Sequence, residues 1–397
     1  MKSGKLTFFQ SKSKRSAGQA PTAAKPPHYP RITSHSPFTV SKNNQKELEL
    51  LNLLQQPVIN LHRIREITWN GIPTRFRAEV WKLYLDYLPV NAAIRQTTLN
   101  HKRQDYFEFV DRVFVESQRF LWTSAQKEID AQIMRDLPRV RHPLFRHQRA
   151  QQMFERILFV WAVRHPASGY VQGMNDVLHP FFLAFLSPYI WGLSEDSIFT
   201  NNIPSDLESK ITINLTPDDL DKISDEQLKI IEADCFWCYS KLLDGLQDLY
   251  TKDQPGLYRM LRSLSIVIDR VDPALSAWIA KEDIDYQEFA FRWVNCLLVR
   301  EFSMDLVFRL WDNYISNILK ISSMHIYTCA AFLEILSPRI ISLPHADFII
   351  AIQSIPNDSW HLEDMEEIIA QAYIYDKMFT SSPSHLKSSS VPLILNK

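Results

Sequence analysis

The chain contains 397 residues, of which 46% are hydrophobic and 22% are charged, and its formal net charge is −1. This length and hydrophobicity suit a globular protein with a large core, and a total of eight glycines argues against an all-β protein with many tight turns. The part expected to fold carries no basic excess, which argues against a DNA-reading domain. We therefore predict an all-α protein.

Residues 1–55 are predicted to form a disordered basic tail rich in Ser and Pro. The first 45 residues contain eight Lys or Arg and no Asp or Glu, and few of their side chains are large and apolar. Such a segment buries too little surface to offset the chain entropy that folding removes. A docking or phosphorylation segment, or a tether to an anionic membrane, is the alternative.

No segment of the sequence is predicted to cross a membrane. The longest apolar run, residues 181–193, is interrupted by Ser187 and Pro188 and is shorter than the roughly 20 residues that span a bilayer. The first residues have no apolar stretch typical of a signal peptide. Because the four cysteines also form no regular disulfide framework, we predict a reducing, cytoplasmic location.

Helical periodicity dominates the chain after the tail. Residues 152–165 place apolar side chains three and four positions apart, and Pro166 ends this predicted helix. Another helix follows Asp285, with Glu288 three positions later as in a capping box, and is predicted to continue to Phe302.

A third helix begins near His361, and its predicted apolar face consists of Met365, Ile368, Ile369, Tyr373 and Ile374. An exposed acidic loop is predicted at about residues 192–228. This loop separates a predicted N-lobe at about 60–195 from a C-lobe at about 229–385. Residues 386–397 are predicted to be a flexible C-terminus.

Two cysteines, Cys235 and Cys238, have the spacing of a redox or metal half-site. No second pair and no adjacent His cluster completes a zinc site, and helical spacing places both sulfurs on one face, so packed thiols are favoured. The sequence also has no phosphate-binding loop, dinucleotide fingerprint or nucleophile elbow. The sequence therefore lacks the usual motifs of a self-contained hydrolase or nucleotide-binding enzyme. No metal site and no cofactor of the chain's own are predicted.

The segment IMRDLPRVRHP, residues 133–143, is irregular. Pro138 and Pro143 interrupt any continuous helix and are predicted to hold the chain extended around Arg139, whose side chain would project outward. A surface salt bridge or a solvated charge is the simpler alternative for this arginine.

A second irregular segment, SGYVQGMND, occupies residues 168–176. Gly169 follows a helix and suits a left-handed conformation, and Gly173 leaves the backbone bare beside Gln172, as a close approach to another surface requires. The neutral amide of Gln172 is suited to orienting a water molecule or binding a partner's backbone. A simple turn with a solvated Gln172 is the alternative.

Together, IMRDLPR and YVQG resemble the two finger motifs of TBC domains, the GTPase-activating domains for Rab proteins. The segments RHPASGYVQGMND and FAFRWVNCLLVREF are most similar to the branch that contains TBC domain family member 22 and its fungal Golgi relatives. The resemblance covers about residues 60–385. Further matches are GIP at 71–73, Arg77, Trp81, EADCFW at 232–237, RW at 292–293, REF at 300–302 and RLWD at 309–312.

The resemblance implies a two-lobed, all-helical Rab-GAP domain that completes the active site of a bound Rab. Arg139 would be an arginine finger and Gln172 a glutamine finger, both supplied in trans. Asp136 would orient the first finger loop and Tyr170 would support it, while Gly169 and Gly173 would let the glutamine enter the nucleotide pocket. GTP and Mg²⁺ would be carried by the Rab.

The implied partners are Rab family small GTPases and Golgi adaptor proteins, in vesicle trafficking with peripheral association at Golgi membranes. A non-catalytic helical adaptor that binds a Rab or a Golgi scaffold is the alternative function. The family usually has Thr after the finger arginine, where this chain has Val140, so a hydroxyl hydrogen bond is lost there. Asn175 and Asp176 are predicted to cap the next helix. The remaining motif residues are expected to be structural, namely Arg77, Trp81, Trp237, Trp293 and Trp311.

Overall fold

The computed structural model describes residues 37–140, 142–193 and 215–381. Within these ranges the chain forms fifteen α-helices and no β-strand, apart from an isolated bridge between Val58 and Asn91. The helices are α1 Pro37–Leu54, α2 Leu61–Ile67, α3 Thr74–Tyr84, α4 Ala92–Val113, α5 Ser124–Asp136, α6 Gln148–Arg164, α7 Met174–Ile190, α8 Asp225–Asp244, α9 Pro255–Val271, α10 Pro273–Lys281, α11 Tyr286–Asn295, α12 Met304–Ser316, α13 Ile321–Ile340, α14 His345–Gln353 and α15 Leu362–Ser381. The predicted all-α fold is confirmed.

Helix α7 lies at the centre of the core. All of its residues from Met174 to Leu186 are buried, and α3, α6, α8 and α12 pack against it. A helix that is buried on every side needs neighbouring helices around it. The segment that carries Gln172 therefore leads directly into a rigid element.

The periodicity of residues 152–165 correctly predicts α6, which ends at Arg164 before Pro166. The capping box of Asp285 and Glu288 also forms at the start of α11. The predicted continuation of α11 to Phe302 is wrong. The helix ends at Asn295, because Leu297 and Leu298 adopt the left-handed φ values 49° and 61°, which no α-helix contains.

The predicted tail boundary at residue 55 is also wrong. Residues 1–36 lie outside the described residues, but Pro37–Leu54 is helix α1, and its Leu50, Leu51 and Leu54 are buried in the core. These leucines recur at helical spacing, and their burial offsets the chain entropy that is lost when this helix forms.

Part of the predicted acidic loop is ordered. Residues 194–214 lie outside the described residues, whereas Pro217–Lys222 forms a 3₁₀ helix and α8 begins at Asp225. Leu220 and Ile223 are buried and anchor this stretch. The described residues from Gln45 onward form one compact unit, and the division into two lobes stays a prediction. The predicted C-terminus at 386–397 lies outside the described residues.

Helix α15 confirms the third predicted helix but corrects its buried face. Met365, Ile368 and Ile369 are buried as predicted, whereas Tyr373 and Ile374 are exposed. Ala372 and Tyr375 are buried in their place, in keeping with 3.6 residues per turn.

One described segment, Ile318–Ile340, is long and apolar enough to cross a membrane, but 61% of its most apolar window is buried inside the protein. Its helix α13 packs against α9 and α15. These contacts are typical of a core helix.

Candidate functional site

Arg139 lies at the end of a short 3₁₀ helix, Leu137–Arg139, that directly follows α5. A second 3₁₀ helix, Pro143–Arg146, begins four residues later, so the predicted extended segment is instead a pair of tight turns. Pro138 and Pro143 each occupy one of the first positions of these turns, where a missing N–H costs little. The predicted outward projection is correct, because 58% of the Arg139 side chain is exposed.

Asp136 forms an ion pair with the guanidinium of Arg139. The carboxylate is buried, and its Oδ1 accepts a hydrogen bond from Arg139 Nη1 at 2.9 Å. Among the residues that the structure describes, Asp136 is the only hydrogen-bond partner of the Arg139 guanidinium. The bond to Asp136 restrains one end of the guanidinium, and the largely exposed side chain leaves its other N–H donors accessible to solvent.

Tyr170 connects the second irregular segment to the first. Its buried hydroxyl donates to Asp136 Oδ2 at 3.0 Å and lies 3.4 Å from Asn175 Oδ1. Burial and the neighbouring Asp136 carboxylate raise the pKa of Tyr170, so the phenol stays neutral and keeps its proton for this bond. Asp136 thus binds residues of both segments.

Gln172 is exposed and lies in the turn before α7. Its side chain makes no hydrogen bond to any residue in the described part of the chain, but its backbone carbonyl accepts a bond from Asn295 Nδ2 at 2.5 Å. The amide therefore points to solvent from a backbone that is held in place.

The structure corrects the predicted role of Gly173 and confirms the predicted left-handed conformation of Gly169. Gly173 has φ of 105°, and a Cβ built there would overlap the side-chain amide of Asn295 and lie 3.1 Å from Cys296 Sγ. Its bare backbone faces the protein's own interior and not an external surface, which corrects the prediction. Gly169 has φ of 67° and open space at its Cβ position, as expected of the turn that ends α6.

Asn175 and Asp176 do not cap α7 as predicted. The N-cap is Gly173, which makes no side-chain cap bond. Both polar side chains are buried instead, and Asp176 Oδ2 lies 3.6 Å from both Cys296 Sγ and Arg300 Nη1. Asp176 therefore contacts the segment after α11, whereas Asn175 lies beside the Tyr170 hydroxyl.

Asn295 is the residue of this site that the sequence did not reveal. It falls inside RWVNCLL, a stretch that resembles the family without any role attached to the asparagine. A buried polar residue in an apolar run is the signal that singles it out, since such a group needs a hydrogen-bond partner.

The cysteine pair is structural, as predicted. Cys235 and Cys238 are fully buried free thiols, and burial raises the pKa of each well above its ordinary value. A buried neutral thiol is a poor nucleophile and metal ligand. Among the described residues, no group of three or more His, Cys, Asp or Glu side chains is arranged to hold a metal ion.

Other motif residues form a buried cluster around Asp312. This carboxylate accepts bonds from Arg77 Nε at 3.0 Å, Trp81 Nε1 at 2.8 Å and the Ile72 backbone N–H at 2.8 Å. The cluster joins α3 to α12 and leaves no side chain for a partner. Trp293 and Trp311 are buried too, and the half-buried Trp237 donates to the Lys102 carbonyl at 2.7 Å.

Comparison with known proteins matches residues 74–341 to the Rab-GTPase-TBC domain. This match covers more than half of the chain. The chain belongs to the Rab-GTPase-TBC domain family. Both segments of the site lie inside the matched region of this TBC domain.

Individual relatives agree with the family. The chain is 37% identical over 354 residues to TBC1 domain family member 22B of Homo sapiens, covering 88% of this chain and 65% of the relative. It is 37% identical over 338 residues to GTPase-activating protein gyp1 of Schizosaccharomyces pombe, covering 84% of this chain and 62% of that protein. The chain therefore spans just under two thirds of the length of these relatives.

Solved structures agree as well. The crystal structure of the Ypt/Rab-GAP domain of Gyp1p matches with a TM-score of 0.75 and 35% identity, covering 85% of this chain and 99% of that domain. A Chlamydomonas flagellar RabGAP TBC domain matches with a TM-score of 0.55 and 18% identity, which supports the fold alone.

Proposed function

We propose that this TBC domain stimulates GTP hydrolysis by Rab family GTPases, with Arg139 and Gln172 supplied in trans. The observation that carries the proposal is the hydrogen bond between Tyr170 and Asp136. This bond joins the segment of the exposed Arg139 to the segment of the exposed Gln172. Relatives named GTPase-activating proteins, at 37% and 32% identity, support the same function.

Arg139 is suited to act on the transferring phosphoryl group. In phosphoryl transfer, negative charge spreads over the oxygens of that group, and a positioned guanidinium stabilises it by about 10³–10⁵ in rate. The bond from Asp136 uses one donor of Arg139 and fixes the direction of the others. The Arg139 side chain is mostly exposed, so the donors that do not bind Asp136 are accessible to a partner.

Gln172 is suited to orient the attacking water. An amide offers both a donor and an acceptor, so it can bind a water molecule in one orientation relative to the phosphorus. Because its backbone carbonyl is bound by Asn295, the side chain extends from a fixed point. GTP and Mg²⁺ would belong to the Rab, since the chain has no phosphate-binding loop of its own.

The test is single-turnover GTP hydrolysis by a panel of purified Rab proteins with the full chain, the Arg139→Ala variant and the Gln172→Ala variant. We expect some Rabs to respond, with a loss of about 10³–10⁵ for Arg139→Ala and about 100-fold for Gln172→Ala. Thermal unfolding of each variant serves as the folding control.

Binding without acceleration would overturn the proposal. If several Rabs bind the full chain but none hydrolyses GTP faster, the protein is the non-catalytic adaptor that the sequence left as the alternative. Golgi adaptor partners, the Golgi location and the role in vesicle trafficking stay predictions. Imaging of the full chain against Golgi markers tests the location.

A further inference from the structure

The geometry points to Asn295 as a positioning residue for the glutamine finger, an inference that rests on the proposed function of Gln172. Asn295 is the last residue of α11 and is 2% exposed. Its Nδ2 donates to the Gln172 backbone carbonyl at 2.5 Å across 123 positions of sequence. Asn295 therefore connects the C-terminal half of the chain to the turn that precedes α7.

The orientation of the Asn295 amide is itself fixed. Its Oδ1 accepts from Gln254 Nε2 at 3.4 Å, and its backbone carbonyl accepts from the Tyr250 hydroxyl at 3.0 Å. Turning the amide over would place an oxygen against the Gln172 carbonyl and an NH₂ against the NH₂ of Gln254. Only one of the two orientations satisfies both neighbours.

Gly173 allows the backbone next to Gln172 to lie in close contact with the Asn295 amide. A Cβ at this position would overlap Asn295 Nδ2, so the close contact depends on glycine as well as on the positive φ of 105°. Cys296, the residue after Asn295, contacts Asp176 in the first turn of α7. The end of α11 therefore holds both the finger turn and the start of the helix after it.

Gln172 is thus restrained from two sides. Tyr170, two residues earlier, is bound to Asp136, and the Gln172 carbonyl is bound to Asn295. If the second restraint is removed, the Gln172 Cα is free to move, and a displacement of about 1 Å in a catalytic group can cost on the order of 100-fold in rate. Docking of the Rab need not change, because Asn295 itself is buried.

The first experiment is Asn295→Ala in the full chain, assayed with a Rab that responds to it. We expect kcat to fall by about tenfold or more while KM stays within about twofold, because the variant misplaces a group needed in the transition state and not in docking. Asn357→Ala is the matched control, since its amide also donates to backbone carbonyls, those of Arg300 and Phe302. That variant should lower stability and leave kcat unchanged.

A double-mutant cycle separates positioning from general destabilisation. The measured quantity is the affinity for the Rab bound to GDP and aluminium fluoride, a mimic of the transferring phosphoryl group, relative to the affinity with a non-hydrolysable GTP analogue. Asn295→Ala should weaken the first by about tenfold when Gln172 is present and by less than about twofold in a Gln172→Ala background. Equal losses in both backgrounds would overturn the inference.

The outcomes distinguish this inference from the proposed function. If Gln172→Ala lowers activation but Asn295→Ala does not, only the role of Asn295 is wrong. If no Rab responds, or Gln172→Ala has no effect, both proposals fail. Should Asn295→Ala not fold, Asn295→Leu keeps a side chain of similar volume and removes the same Nδ2 donor, and an unchanged kcat in that variant would contradict the inference.

Discussion

Two arginines of this chain, Arg77 and Arg139, each bind an aspartate. They differ in their exposure to solvent and in how many of their N–H donors are bound within the protein. Arg77 is 10% exposed, and its donors bind Asp312, the Ile72 carbonyl and the Thr74 hydroxyl. Arg139 is 58% exposed and donates to Asp136 alone among the described residues. An arginine whose donors are all bound within the protein stabilises the fold, whereas one with free donors on a fixed stem is available to a partner.

Arg139→Ala should give the largest effect and the clearest contrast. We expect activation of a responsive Rab to fall by about 10³–10⁵, while the free energy of unfolding falls by only about 1 kcal/mol, because the arginine side of the ion pair is solvent-exposed although Asp136 is buried. Single-turnover hydrolysis and urea unfolding measure the two quantities. A large loss of stability would show that this arginine is structural, like Arg77.

Arg77→Ala should give the opposite result. The variant leaves the buried Asp312 carboxylate without its ion-pair partner, which typically costs about 3–5 kcal/mol. Urea unfolding measures this loss. Activation per folded molecule, assayed at low temperature, should stay at the level of the unmodified chain, and a specific loss of kcat at full folding would contradict the contrast.

Tyr170→Phe should fall between these two extremes. Loss of the hydroxyl removes a hydrogen bond to a buried carboxylate, at a cost of about 1.5 kcal/mol in stability, and disconnects the segment that carries Gln172 from the segment that carries Arg139. We expect about a tenfold loss of kcat with little change in KM. Tyr189→Phe, a half-buried tyrosine at the far end of α7, serves as the control and should leave kcat unchanged.

The smallest predicted effect concerns a pair of carboxylates, Asp130 of α5 and Glu155 of α6. Burial and a hydrogen bond with Asp130 raise the pKa of Glu155 from 4.5 to about 7, although Arg119 opposes the shift. Because the folded state holds this proton more tightly than the unfolded state, its stabilising contribution is complete below about pH 4.5 and is lost as the pH rises through about 7.

Glu155→Gln tests this pH dependence. With solvent screening taken into account, the unmodified chain should lose about 1 kcal/mol of stability through this group between pH 5 and pH 8, and the variant should lose less. Urea unfolding at both pH values, with and without the substitution, gives the difference. A slope that is identical in the two proteins would show that Glu155 does not titrate in this range.

The sequence predicted the helices best where the signal was local. Periodic apolar residues gave α6, and Asp285 with Glu288 gave the start of α11, because helix periodicity and capping act within a few residues. It failed at the end of α11, where Leu297 and Leu298 adopt a conformation that leucine disfavours on its own. Their burial in the core is a long-range effect that no local pattern records.

By itself, the sequence determined the all-α class and the positions of Arg139 and Gln172, since the two motifs are short and local. The tertiary structure alone decided what surrounds them. The bond from Tyr170 to Asp136 spans 34 positions and that from Asn295 to Gln172 spans 123. It also decided that Gly173 faces inward, because the direction of a backbone position depends on which distant helix packs against it.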